Sequence, residues 1–364
     1  MLASLRVLQE TLDDIAPPYL TLDWDNSGMQ VAPEGEEVEK LLVGLDPTLE
    51  LIKRAVESEA DLIVTHHPLF FDPPRQLDPH TPQGEKVSLL LSNGVGLITA
   101  HTNMDRSARG LSQALAERIE LSSPSPLTSA EEAKLKKITV FVPQGHLTSV
   151  RRAAFEAGAG AMGDYDCCSF STRGRGTFRP LEGSEPYMGE IGEVEEVGEV
   201  KLELQVRTNE VDRVVDSILR AHPYEEVAYD TYTTDRVDPE VGLGRIGKWE
   251  ERSFREALAY LREALGLKDG ELTVVEGGES EIGTVAVSPG SGGSLLGAAL
   301  GAGADLFLTG ELDYHERLEA KEAGLSVVQT GHYHSEKVFM PWLRRYLNRH
   351  GPSDLAVDIF EEGI

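Results

Sequence analysis

Six residues of this 364-residue chain have the types and spacing needed to hold divalent metal: His66, His67, His101, Asp105, His332 and Glu336. Neutral imidazoles and carboxylates offer nitrogen and oxygen donors. Sulfur adds nothing, because the only two cysteines, Cys167 and Cys168, are adjacent and suit neither a zinc ribbon nor a structural disulfide. Each candidate lies just past an apolar run that reads as a strand: His66 and His67 after DLIVT, His101 and Asp105 after VGLITA, His332 and Glu336 after LSVVQT. Open α/β sheets bind ligands at these carboxyl ends. A spacing of four puts His332 and Glu336 on one face of a starting helix, and His101 and Asp105 repeat the interval. Neighbours in an extended segment face opposite ways, so His66 and His67 are expected to reach two different cations, which favours a dinuclear site. Five or six N/O donors suit Zn²⁺, Mn²⁺, Fe²⁺, Co²⁺ or Ni²⁺ without choosing among them. Singly, a His pair is more often structural or on the surface; the coincidence at three strand ends carries the metal reading.

Other motifs are weaker. The turn Pro289–Ser294 (PGSGGS) precedes a helix and is a candidate anion cradle, with a plain βα turn as the alternative. It lacks the GK[ST] of a P-loop. Asp25–Asn26–Ser27–Gly28, after Trp24, reads as a turn that could line a cleft. His315 and His334 lie close enough in sequence to shuttle protons or ligate. His80, His146, His222 and His350 have no partner pattern and read as structural. The acidic run 190–200 reads as a solvated loop and strand edge.

Elements that would position the donors follow from hydrophobic periodicity. Strands are expected at Lys40–Asp46, Asp61–Thr65 and Val95–Ala100, with helices at LELIKRAVES and GEKVSLLLSNG between them. The same alternation returns at 283–288, 305–309, 325–330 and 356–360. The two outer regions echo each other: ADLIVT (60–65) resembles ADLFLT (304–309), and His101 with Asp105 matches His332 with Glu336. The echo suggests lobes related by a pseudo-twofold axis. Between them, residues of about 136–235 read βαβ then βαβ, the ferredoxin-like plan, flanked by Ser/Pro/charge-rich linkers. The expected class is therefore α/β: two pseudo-symmetric lobes, 1–128 and 237–364, split by an inserted α+β domain at 129–236.

Composition narrows the partners. The 34 Lys+Arg against 62 Asp+Glu leave a net charge of −28, which argues against a nucleic-acid backbone as ligand. With 40% hydrophobic residues the chain can bury a sizeable core. The start lacks a basic n-region and an apolar h-region, and no apolar stretch approaches about 20 residues, so a cytoplasmic protein without a membrane span is expected.

On WDNSG (24–28), GLDPT (44–48), ADLIVTHHPLFF (60–71), AHTNMD (100–105), GSGGS (290–294), ADLFLTGELDYH (304–315) and GHYHSE (331–336), the chain resembles the GTP cyclohydrolase I type 2 homologues, also called the NIF-three-like proteins. The middle segment, with YDCCSFSTRGRGTFRP and HPYEEVAYD, resembles the PII-like insertion of the longer bacterial members. This resemblance implies two divalent cations per chain held by His66, His67, Asp105, His332 and Glu336, with Glu336 bridging. It leaves His101 as a sixth ligand or a catalytic base. It further implies a toroidal homohexamer and conversion of GTP to dihydroneopterin triphosphate and formate, the triphosphate placed near PGSGGS or Arg106 and Arg109. The alternatives are a non-catalytic metal-binding or regulatory scaffold, with a small ligand sensed by the insertion, and a phosphoester hydrolase at the same metals.

Overall fold

The computed structural model describes residues 3–131, 133–163, 165–268, 270–278 and 281–362. Glu132, in the first expected linker, and the chain ends of the expected outer lobes lie outside them. The architecture is mixed α/β with several sheets. Two compact units form: Met1–Ala130 with Pro239–Ile364, and Glu131–Asp238. No helix among the described residues is long and apolar enough to cross a membrane.

In the first unit, one sheet has the order Ala356–Ile359, Lys40–Gly44, Leu62–Thr65, Gly96–Thr99 and Gly28–Val31, parallel except for the last strand. Leu62–Thr65 and Gly96–Thr99 are buried throughout, which explains why both read as continuous apolar runs rather than alternating ones. Helix Leu49–Glu57 begins where the Thr48 side chain accepts the Leu51 N–H, and helix Pro82–Ser92 where Thr81 accepts that of Gly84. Leu51, Ile52, Val87 and Leu90 from these helices pack with Leu42, Ile63 and Leu97 of the strands.

The second sheet runs Thr273–Val275, Ser326–Gln329, Leu306–Glu311, Glu281–Ser291, Arg245–Ser253 and Ser122–Pro126. Its three parallel strands repeat Lys40–Gly44, Leu62–Thr65 and Gly96–Thr99 of the first sheet, down to an antiparallel strand beside the last of them. Sequence order and sheet membership part company at two places. Ala356–Ile359, in the later outer region, pairs with Lys40–Gly44 of the first sheet. Ser122–Pro126, in the earlier one, pairs with Arg245–Ser253 of the second. Helix Phe339–His350 follows the first exchange, burying Phe339, Met340, Leu343 and Leu347 against Leu41, Val43, Leu62 and Val64.

In the second unit, strands Lys134–Pro143, Ser169–Phe178, Glu195–Val206 and Tyr229–Val237 form an antiparallel sheet in the spatial order fourth, first, third, second. Alternate residues Ile138, Val140, Val142, Leu202, Leu204 and Val206 face helices Leu147–Glu156 and Val211–Ala221, which supply Val150, Ala154, Val214 and Ile218. The second strand starts later than its β-branched and aromatic content suggests. Cys167 sits at φ 53°, in the left-handed region, so the cysteines belong to the turn and pairing begins at Ser169. The acidic run 190–200, read as a solvated loop and strand edge, divides at Glu195, where the third strand begins.

Candidate metal centre

Four histidines and two carboxylates meet at the carboxyl ends of the parallel strands of the first unit. His66 and His67 follow Leu62–Thr65, and both backbone N–H groups donate to Leu45 O. The chain has left extended geometry there, so the two rings converge, with centroids 4.9 Å apart, instead of facing opposite ways. His101 precedes and Asp105 lies within the five-residue helix Thr102–Arg106; His332 and Glu336 are the ends of the matching helix His332–Glu336. Glu336 is central: Oε1 lies 3.2 Å from His332 Nε2 and 3.8 Å from His66 Nε2, and Oε2 lies 3.3 Å from His67 Nε2. Asp105 Oδ1 is 3.7 Å from His66 Nε2. Among the described residues two donor groups are tight enough to hold a metal ion, His66–His67–His101 and His67–His332–Glu336, and they share His67.

Each ring is anchored through its other nitrogen. His66 Nδ1 meets Ala100 O at 2.8 Å, His67 Nδ1 meets Asp46 Oδ1 at 2.8 Å, His101 Nδ1 meets Asp25 Oδ1 at 2.8 Å, and His332 Nδ1 meets Glu311 Oε1 at 3.0 Å. A proton held at Nδ1 leaves Nε2 with its lone pair, the tautomer a cation requires. The turn Asp25–Gly28 is therefore more than a cleft lining. Asp25 also accepts from Ser27 Oγ and from Thr102 N and Oγ1. Burial would raise its pKa, but the bonds from His101, Thr102 and Ser27 outweigh it and hold the carboxyl well below the usual range.

Without a cation the inner donors are electrostatically strained. Burial, reinforced by the neighbouring His67 and His101, pushes the His66 pKa well below its ordinary value, so that imidazole stays neutral. Burial lifts Asp105 to about 7, with Glu336 adding to the effect. His332 is raised to about 9, first by its hydrogen bond to Glu336. Burial opposes protonation of His67, yet Asp46 and Glu336 raise it overall. His66 Nε2, Asp105 Oδ1 and Glu336 Oε2 are all shut off from solvent without a hydrogen-bond partner. Buried polar atoms in native proteins are normally satisfied, and three orphans at one point fit a bound cation.

The remaining candidates separate. Pro289–Ser294 is not an open anion cradle: the Gly290 N–H bonds to Ser335 Oγ and that of Gly292 to Glu311 O. Its glycine has a different purpose. Gly290 has φ +64°, and a Cβ there would overlap Glu336 Oε1 and lie 3.3 Å from His332 Nε2. Gly290→Ala should therefore weaken divalent-metal affinity by about tenfold or more while the far-ultraviolet dichroism stays native, measured by metal titration. Arg106 is buried and donates to Leu20 O at 3.0 Å, which removes it as a phosphate ligand; Arg109 is exposed. His334 faces Glu271 at 3.9 Å, and neither it nor His315 joins the donor groups. Asp46 and Glu311 escaped the sequence reading as ring anchors, although Asp46 lies just past one parallel strand and Glu311 ends another; that position was the available signal.

Known proteins resemble this chain over nearly its whole length. A protein of Bacillus subtilis (strain 168) called GTP cyclohydrolase 1 type 2 homolog is 34% identical over 339 residues, 93% of this chain and 90% of that one. A Mycobacterium leprae protein of the same name is 33% identical over 347 residues, 94% of this chain and 88% of the other. The crystal structure of a Bacillus cereus protein related to NIF3 superposes with a TM-score of 0.87 at 31% identity, covering 99% of this chain and 97% of that one. The family description Duf34/NIF3 (NGG1p interacting factor 3) matches residues 3–362. The chain belongs to the Duf34/NIF3 family.

Proposed function

We propose that the chain is a divalent-metal-dependent hydrolase of a small planar anion, with GTP as the first substrate to try. The observation that carries the reading is the trio of buried donor atoms without partners, His66 Nε2, Asp105 Oδ1 and Glu336 Oε2, ringed by histidines anchored through Nδ1. His66, His67, Asp105, His332 and Glu336 would hold two cations, Glu336 between them because its two oxygens face different histidines. The shared anchoring pattern favours His101 as a further ligand over a proton acceptor. Bound divalent cations supply Lewis acidity that polarises an electrophilic centre and acidifies water. The chain's own part is to fix the donors and to seat the substrate. Trp24 and Phe71, 61% and 51% exposed, stand edge-on to His101 at 5.9 and 5.7 Å. They offer apolar faces to a planar ring beside the donors, which favours a heteroaromatic substrate over a plain phosphoester. The relatives named GTP cyclohydrolase 1 type 2 homolog support GTP as that first candidate.

The Glu131–Asp238 unit is proposed to be the ferredoxin-like, PII-like insertion, a reading its fourth–first–third–second strand order supports. A toroidal homohexamer rests on the resemblance alone, and light scattering near six times 39.8 kDa tests it. For the activity, protein loaded with one defined metal at a time is assayed for formate from GTP and for phosphate from an ester panel. Formate release that Glu336→Gln abolishes is the expected result. A fully loaded protein that releases neither product would leave the scaffold reading in its place.

A further inference from the structure

The second unit contains a cavity of about 390 Å³ that the donor cluster does not use. Its walls are aromatic. Tyr224 lies 6.0 Å from Tyr187 and 6.2 Å from Phe178 between ring centroids, at 46° and 54°, so the rings are tilted against one another and do not cover each other's faces. Its charged lining is lopsided: Glu199, Glu225 and Glu226 against the single Arg179. Three carboxylates and one guanidinium leave a formal excess of two negative charges beside apolar ring faces.

The box is braced from outside. The Tyr224 N–H donates to His222 Nδ1 at 3.2 Å, and His222 Nε2 donates to Phe141 O at 3.0 Å, which fixes the His-Pro-Tyr-Glu-Glu segment against the sheet. His146 Nε2 meets the Tyr187 hydroxyl at 3.1 Å. Glu199 comes from the central strand Glu195–Val206, and its carboxylate lies across Gly176 of the neighbouring strand, where any Cβ would overlap it. Burial, followed by the charge of Glu199, pushes the Tyr224 hydroxyl up to about 12, so that hydroxyl stays protonated.

We propose that this cavity binds a small organic cation with a methylated ammonium head, held over the faces of Phe178, Tyr187 and Tyr224 and neutralised by Glu199, Glu225 and Glu226. Ring quadrupoles attract such a head, and a methylated nitrogen gives up little hydration on entering an apolar box. An anion would face three carboxylates. A neutral apolar guest would strip water from those carboxylates and return nothing. A bare hard cation would draw on the same carboxylates but would give up strongly held water to apolar faces of Phe, Tyr, Pro, Leu and Met that return nothing to it. Both donor groups able to hold a metal ion among the described residues belong to the other unit.

Choline is the probe, titrated into the full-length protein by calorimetry beside 3,3-dimethylbutan-1-ol, which has the same shape with carbon in place of the charged nitrogen. Saturable choline binding at one site per chain is expected, with the alcohol weaker by about tenfold or more. Glu199→Gln and Tyr187→Leu should each weaken choline about tenfold; Tyr187 is half-exposed at the mouth, so its loss does not threaten the fold. Equal binding of choline and the alcohol, undiminished choline binding in both variants, or no choline binding to the native protein would each overturn the assignment.

Discussion

Glu336→Gln should empty the centre of its cations, with divalent-metal affinity falling by at least about 100-fold. Glutamine keeps the volume of a side chain that is only 5% exposed, so packing changes little and the effect is one of charge. What disappears is the one carboxylate within 4 Å of His66, His67 and His332 together. The amide leaves one oxygen to accept and sets an N–H₂ group against imidazole lone pairs. With metal in large excess, a 100-fold weaker affinity removes about 2.7 kcal/mol of metal-linked stability. The rise in Tm that metal gives the native protein should therefore shrink in the variant, while the two chelated proteins melt much closer together. Glu311→Ala, which removes only the anchor of the His332 ring, should fall between the native protein and Glu336→Gln with about a tenfold loss. Native metal content in purified Glu336→Gln, measured by elemental analysis, would refute the ligand assignment.

Arg245→Met should destabilise the first unit by about 3–5 kcal/mol, a large share of the stability of any single cooperative unit. The guanidinium is 1% exposed and works as a five-way clasp. Nε donates to Gln113 Oε1 at 3.1 Å, Nη1 to Gly242 O and Gly244 O at 2.9 and 2.8 Å, and Nη2 to Ser107 O at 2.7 Å and Glu240 O at 3.4 Å. Burial lowers its pKa to about 10, still far above neutrality, so the clasp is charged wherever the protein works. Methionine fills the space but supplies no donor: Ser107 O and Gly244 O keep the N–H groups of Gly110 and Leu127, while all five guanidinium bonds are lost. Arg245→Lys should recover only part of the loss, because a single ammonium cannot reproduce the planar fork. Ser107 lies two residues past Asp105, so metal affinity should drop along with the urea midpoint. A native urea midpoint in Arg245→Met would show that the clasp contributes nothing.

The donors were legible because their chemistry and their positions coincide. DLIVT, VGLITA and LSVVQT are buried parallel strands, and such strands announce themselves as unbroken apolar runs whose polar successors are exposed to a shared face. The ring anchors were less legible. Asp25 and Asp46 approach histidines 76 and 21 residues away, and no periodicity connects separations of that kind. Arg245 hid in what reads as the end of a linker, since an Arg after Val-Gly-Leu-Gly carries no sign that five carbonyl and amide oxygens surround it. Gly290 was noticed for the wrong reason: the glycines of PGSGGS suggested free N–H groups, whereas the close approach of Glu336 to its Cα is a property of the folded sheet. The expected divergence of His66 and His67 failed similarly, because strand alternation stops at Thr65.

The strand exchange has a consequence for how the chain is made. During synthesis the segment Lys40–Thr99 emerges with its parallel strands and helices long before Ala356–Ile359, the strand that covers the other side of Lys40–Gly44. An open apolar edge invites pairing with other chains. Strand Ala356–Ile359 thus acts as a stopper, and ribosomes must translate through it before the first sheet is sealed and the donors drawn from both sheets can meet.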